Sequence, residues 1–209
     1  MRIRALAVAA LLAGIVAAPA AAQSRPSVGM SYDMSLPMGD LQTYADNDSW
    51  LGWTVDVRAF GESRKISFGG LLGYYEFYQN SAVEQITFGR GAVSGQQYRH
   101  MFSLPIMLNA HYYAGSSSYK ARPFIGLNAG VTYMKQTLDM GLYTLTSDAW
   151  VLAAEPEIGI ILPTSGRTMV NLHARYHLPM SSSSLYSGGG GDASMSYLSI
   201  GMGFMARPF

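Results

Sequence analysis

The feature that most constrains this chain is an alternation of period two that recurs in eight separate segments. In the first, Val28, Met30, Tyr32, Met34 and Leu36 share one face, while Ser27, Gly29, Ser31, Asp33 and Ser35 share the other. A strand turns successive side chains to opposite sides, whereas a helix scatters this pattern around its circumference. The second segment sets Leu51, Trp53, Val55, Val57 and Ala59 against Gly52, Thr54, Asp56 and Arg58. The third, over 66–75, is weaker. The fourth, over 102–112, contains Pro105, which cannot donate to a ladder and predicts a bulge or irregular pairing. The rest run over 123–133, 150–162, 170–178 and about 196–204.

The connections alternate in length. Long polar stretches follow the odd segments, at 38–49, 79–99, 136–148 and 179–195, and short turns follow the even ones, at 61–65, 115–118 and 164–167. Short turns at one end and long loops at the other are the pattern of outer-membrane barrels.

Composition separates the membrane reading from the soluble one. Charged residues make up 13% of the chain, against about a quarter in soluble domains, and there are 14 Tyr and 23 Gly. A lipocalin-like soluble barrel would turn the apolar face inward and leave the other face to water. That other face is mostly Gly, Ser, Asn and Thr, which suits a crowded interior better. In hydrocarbon every backbone N–H and C=O must be paired, so a sheet persists there only by closing on itself. The predicted fold is all-β: an eight-stranded antiparallel up-and-down transmembrane β-barrel preceded by a cleaved signal peptide. Such a barrel is just wide enough for side chains to fill it. Aromatic residues near the loop-bearing strand ends, Trp50, Trp53, Tyr74, Tyr133, Trp150, Tyr176 and Tyr197, are expected to form an interfacial girdle.

The N-terminus carries Arg2 and Arg4, an apolar run from Ala5 to Ala18, and the small residues Ala20, Ala21 and Ala22 before Gln23. That is the form of a secretory signal with an A-x-A cleavage site, so residues 1–22 are expected to be removed and 23–209 to form the barrel domain. The run is too short for a membrane helix, which takes roughly 20 apolar residues. Cleavage removes two arginines and no acid, lowering a formal net charge of +1 by two, and a nucleic-acid partner is not expected. With no cysteine, disulfides, thiolate metal sites and a Cys nucleophile are excluded.

The mature chain resembles the small outer-membrane β-barrel family of the OmpX and OmpW type over essentially its whole length. The residues that carry the resemblance are the Pro-aromatic-Gly-rich run from Arg122 to Val131, and Ala154, Pro156, Glu157 and Gly159 in the following strand. The resemblance implies a Gram-negative cell envelope, passage through the periplasm and insertion by the barrel-assembly machinery. It also allows a porin-like narrow conduit for small apolar molecules. Barrels of this family usually end in a lipid-facing aromatic residue, which Phe209 supplies. Parity groups Phe209 with Met205 and Gly203, off the apolar face, so either a bulge lies near Arg207 or the strand ends near Ala206.

Chemistry, if any, lies on the polar face. Asp56, Arg58, Glu155, Glu157, His173, Arg175 and His177 are expected to form a lumen network, joined there by Asp33 and His111. The turn at 164–167 should set Glu155 and Glu157 opposite His173, Arg175 and His177. Buried charges need partners, so the network reads as structural. His173 and His177 are four residues apart on a strand, roughly 13 Å, too far to chelate one ion alone, and no metal or cofactor is expected. A lipid A-modifying enzyme needs His, Ser and a carboxylate together. His100 and Ser103 differ by three positions and so point to opposite faces, with His100 expected in a loop at the strand boundary. The runs Ser181–Ser184 and Gly188–Gly191 read as outer-loop segments. The expectation is a non-enzymatic integral protein of the bacterial outer membrane. Its partners are outer-membrane lipid, lipopolysaccharide and the assembly machinery, and its lumen is packed rather than open.

Overall fold

The computed structural model describes residues 26–88, 91–115, 121–140, 142–164, 166–180, 183–186 and 192–206 of the chain. Residues 1–22 and Phe209, with the expectations attached to them, lie outside these. The elements are β1 (Ser27–Gly39), α1 (Asp40–Tyr44), β2 (Ser49–Phe60), β3 (Ile66–Phe88), β4 (Gly91–Tyr113), β5 (Arg122–Met140), β6 (Tyr143–Pro163), β7 (Thr168–Pro179), β8 (Ser183–Tyr186), β9 (Asp192–Ala193) and β10 (Met195–Ala206).

The eight long strands β1–β7 and β10 close into one barrel in which sequence neighbours pair antiparallel. The seam joins β1 to β10 from Gly29↔Met205 to Gly39↔Met195. The wall is up-and-down and, being closed, presents no free edge within the barrel. The small β8–β9 pair forms a separate two-stranded sheet.

The strands are unequal. β1, β2, β7 and β10 have 12 or 13 residues, whereas β3 to β6 have 19 to 23. A tilted strand crosses a bilayer in about 9–11 residues, so β3–β6 continue well beyond it. The stretches 79–99 and 136–148, read from sequence as polar loops, are therefore paired hairpin extensions, from Gln79↔Arg99 to Phe88↔Gly91 and from Gln136↔Ser147 to Met140↔Tyr143. On β5 this extension still alternates, with Gln136, Leu138 and Met140 buried on one face, but Gln136 and its polar neighbours make the stretch read as a loop.

Two irregularities matter. At Pro105 the β3–β4 pairing skips from Leu72↔Ile106 to Tyr75↔Ser103 without a change of register, so the proline interrupts the ladder and creates no bulge there. A register shift between Asp33 and Ser35 on the β1–β2 ladder lets Trp50 and Leu51 both face outward despite being consecutive. β10 is described as far as Ala206, and the alternatives drawn from parity for Arg207 to Phe209 lie outside the described residues.

Candidate functional site

The face that each strand buries decides what kind of barrel this is. Along β1, Ser31 and Asp33 are 3% and 0% exposed, while Val28 and Met30 are 51% and 61% exposed. Along β10, Ser199 is buried and Ile200, Met202 and Phe204 face outward. The polar face is the interior and the apolar face is the exterior, the inverse of a soluble barrel and the arrangement that hydrocarbon demands.

Inside, the charges form a connected belt. The Arg58 guanidinium pairs with Asp56, donates from Nη1 to the Tyr113 hydroxyl at 3.0 Å, and reaches Glu157 Oε1 at 3.4 Å. Glu157 lies at the centre: its Oε2 is 3.4 Å from Arg175 Nε and 3.1 Å from His111 Nε2, and accepts from Asn128 Nδ2 at 3.0 Å. Arg175 Nη1 donates to Thr54 Oγ1 at 3.1 Å and lies 3.8 Å from Asp33 Oδ2, which also accepts from Thr54 at 3.0 Å. His173 Nε2 is 2.6 Å from Asp33 Oδ1, and His177 Nδ1 is 2.8 Å from Glu155 Oε1.

Apolar clusters flank this belt. At the short-turn end, Phe60, Tyr113, Phe124, Ile161, Met169 and Met205 pack together inside the barrel. At the hairpin end, Leu41, Tyr44 and Ala45 of α1 and its C-terminal flank insert among Tyr75, Phe77, Met101, Met134 and Tyr197. The helix is held at three points: Tyr44 donates to the Thr137 carbonyl at 2.9 Å, Arg99 Nη1 donates to the carbonyls of Thr43 and Tyr44, each at 3.4 Å, and the Asp40 carboxylate accepts from Ser194 N–H at 2.7 Å. The guanidinium thus meets the free carbonyls and negative dipole end of α1. Burial pushes the Tyr44 hydroxyl up to about 12, with Arg99 opposing and Asp139 adding to the shift.

No family model matches the chain, and no curated protein matches it. Solved structures do. Neisserial surface protein A superposes with a TM-score of 0.58 at 10% identity, covering 87% of this chain and 96% of its own. The N-terminal β-barrel domain of Pseudomonas aeruginosa OprF gives 0.46 at 12% identity, covering 88% and 99%. The attachment invasion locus protein Ail of Yersinia pestis gives 0.45 at 9% identity, covering 87% and 97%. The chain has the fold of the small outer-membrane β-barrels.

Within that fold the outer wall carries an aromatic belt. Trp53 stacks on Tyr74 (5.7 Å, 4°), and contacts continue through Phe102 and Tyr133 to Trp150. Phe102 links the rings and was not among the residues expected. Trp50 is exposed and Tyr176 half-exposed, consistent with outward positions. Tyr197 is a correction: it is fully buried in the lumen, its ring stacked 4.6 Å from His177. It shares parity with Ser199 and Gly201, the polar face, and its position near a strand end had outweighed that parity.

The lumen residues expected from sequence, Asp56, Arg58, Glu155, Glu157, His173, Arg175 and His177, are all buried inside and most meet one another. His173 differs in its partner, which is Asp33 rather than either Glu. The line of contact runs across β10, where His173↔Gly201 and Gly201↔Asp33 are register pairs. A Cβ on Gly201 would come 1.8 Å from Asp33 Oδ1 and 2.5 Å from His173 Nε2, so the missing side chain opens the path. Tyr75 and Thr54 are further members that parity placed inward without marking them as partners, and Tyr113, one residue past the segment read from sequence, is another. His100 lies within β4, not in a loop, and faces outward against Glu76, while Ser103 faces inward against Tyr197.

Proposed function

We propose that this chain is a non-enzymatic integral outer-membrane β-barrel, exported by its signal, inserted by the barrel-assembly machinery and closed along its axis. Its projecting hairpins make the surface contacts, with lipopolysaccharide the first partner. The observation that carries the reading is the stacking of three layers in the lumen: an apolar cluster, a belt of paired charges, and a second apolar cluster capped by α1. A barrel of this strand number is just wide enough for such side chains to fill it, which supports a closed lumen. Opening a path for solute would expose Arg58, Glu157 and Arg175, whose compensation depends on one another. The separation of His100 from Ser103 across the wall supports a non-enzymatic role. The alternative is a narrow conduit for small apolar molecules, which would need both apolar clusters to part.

Planar-bilayer conductance of the refolded mature chain tests this, with heat-modifiable gel mobility and a β-rich circular dichroism spectrum as folding controls. Folded protein without discrete openings is the expected result; reproducible single-channel steps contradict closure and favour the conduit.

A further inference from the structure

The charge belt does not balance itself. Among the described residues, the fully buried charged groups are four carboxylates, Asp33, Asp56, Glu155 and Glu157, against two guanidiniums, Arg58 and Arg175. Asp56 and Glu157 pair with arginine, and Asp33 has Arg175 at 3.8 Å as well as His173. Glu155 alone has no arginine partner: its Oε1 meets His177, and its Oε2 is buried with no hydrogen-bond partner among the described residues. A buried carboxylate oxygen left without a hydrogen-bond donor is costly.

Glu155 sits at the edge of a group of rings. Its partner His177 stacks on Tyr197, and the Tyr197 ring is 5.1 Å from Tyr75 and 5.2 Å from Phe77. The side chains of Leu41 and Tyr44 close this group from above. Aromatic faces gathered beside a buried carboxylate are the recognition chemistry of organic ammonium groups. α1 is only 5 residues long, has no side-chain cap at its N-terminus, and is tied to the wall by three polar contacts. It lies over the lumen and is not part of the ladder.

We propose that the space filled by Leu41 and Tyr44 is a seat for a small organic cation, a quaternary or protonated amine. The Glu155 carboxylate and the faces of Tyr75, Phe77 and Tyr197 hold it, and α1 lies over it. In the closed state the apolar side chains of α1 occupy the seat, and His177 holds one Glu155 oxygen. The seat is blind, because the charge belt and the lower apolar cluster lie beneath it, so it binds without conducting.

The absence of cysteine makes a direct test possible. Ser103 is buried beside Tyr197, its Oγ 3.2 Å from the phenol oxygen, and Ser103→Cys places a single thiol in the seat. The labelling rate of refolded Ser103→Cys, divided by each reagent's own rate with a free thiol in solution, is compared for two methanethiosulfonates, one bearing a trimethylammonium group and the other a sulfonate. The cationic reagent should react roughly tenfold faster, the scale on which a charged cleft focuses counter-ions. Choline should slow the reaction, and its uncharged carbon analogue should not. Arg99→Ala, which loosens α1, should raise both rates, and Glu155→Gln should erase the preference. Equal rates for the two reagents, no protection by choline, or no labelling even with Arg99→Ala would each overturn the proposal. The first two arms keep Glu155 intact, so they decide the matter even where Glu155→Gln does not fold.

Discussion

At the scale of single residues, the lumen is an exercise in satisfying charge where water is scarce. Arg175 touches Glu157, Thr54, Asp33 and Tyr75, tying its own β7 to β6, β2, β1 and β3 through one guanidinium. Its removal strands Glu157 with less than its full set of partners. Breaking a buried pair by deleting one member costs about 3–5 kcal/mol. Arg175→Ala should therefore lower the urea midpoint of the refolded barrel clearly, and an unchanged midpoint would argue against the network as a source of stability. Tyr44 gives a pH-dependent prediction of opposite location, at the mouth. Its hydroxyl ionises at about 12 in the folded protein against an ordinary value of 10.0, so the buried phenol favours the folded, docked state while it is neutral. That contribution is complete below pH 10.0 and is lost as pH rises through about 12. Ultraviolet titration should show a phenol ionising at about 12 that Tyr44→Phe removes; an unaltered titration in the variant would assign it elsewhere.

At the scale of elements, alternation revealed each barrel strand because one face meets lipid and the other a filled lumen, two environments that select opposite residues. It failed where that contrast is absent. Beyond the aromatic belt the β3–β4 and β5–β6 hairpins are longer than a bilayer crossing needs, and polar stretches such as 79–99 look like loops. The helix α1 was unreadable because Asp40–Tyr44 is too short to show a helical period and Gly39 offers no capping side chain. The pairing of β6 with β7 was legible from their short turn, so Glu157 with Arg175 could be anticipated. The pairing of His173 with Asp33 could not, because it crosses the seam between first and last strands and depends on Gly201 between them. Gly201→Ala tests that geometry: the added methyl collides with both partners, and overpacking of this kind costs about 1–3 kcal/mol. Ser199→Ala on the same strand and face should cost less; equal effects would remove the special role assigned to Gly201.

At the scale of the whole molecule, the account rests on an inside-out distribution: charge and hydroxyl within, aliphatic and aromatic surface without. A closed barrel of this kind has no stable place in water, where Met30, Ile125, Ile158 and Phe204, each more than half exposed, would aggregate it. All three tryptophans, Trp50, Trp53 and Trp150, are exposed on the wall near the hairpin end. The depth of these three residues is therefore the most direct test. Tryptophan fluorescence of the chain folded into bilayers should be quenched by lipids brominated near the carbonyl end of the acyl chain. Lipids brominated near the chain terminus should quench less, and an aqueous quencher should have little effect. Strong quenching from water with none from either brominated lipid would contradict the membrane-facing wall, and with it the barrel's proposed place in the outer membrane.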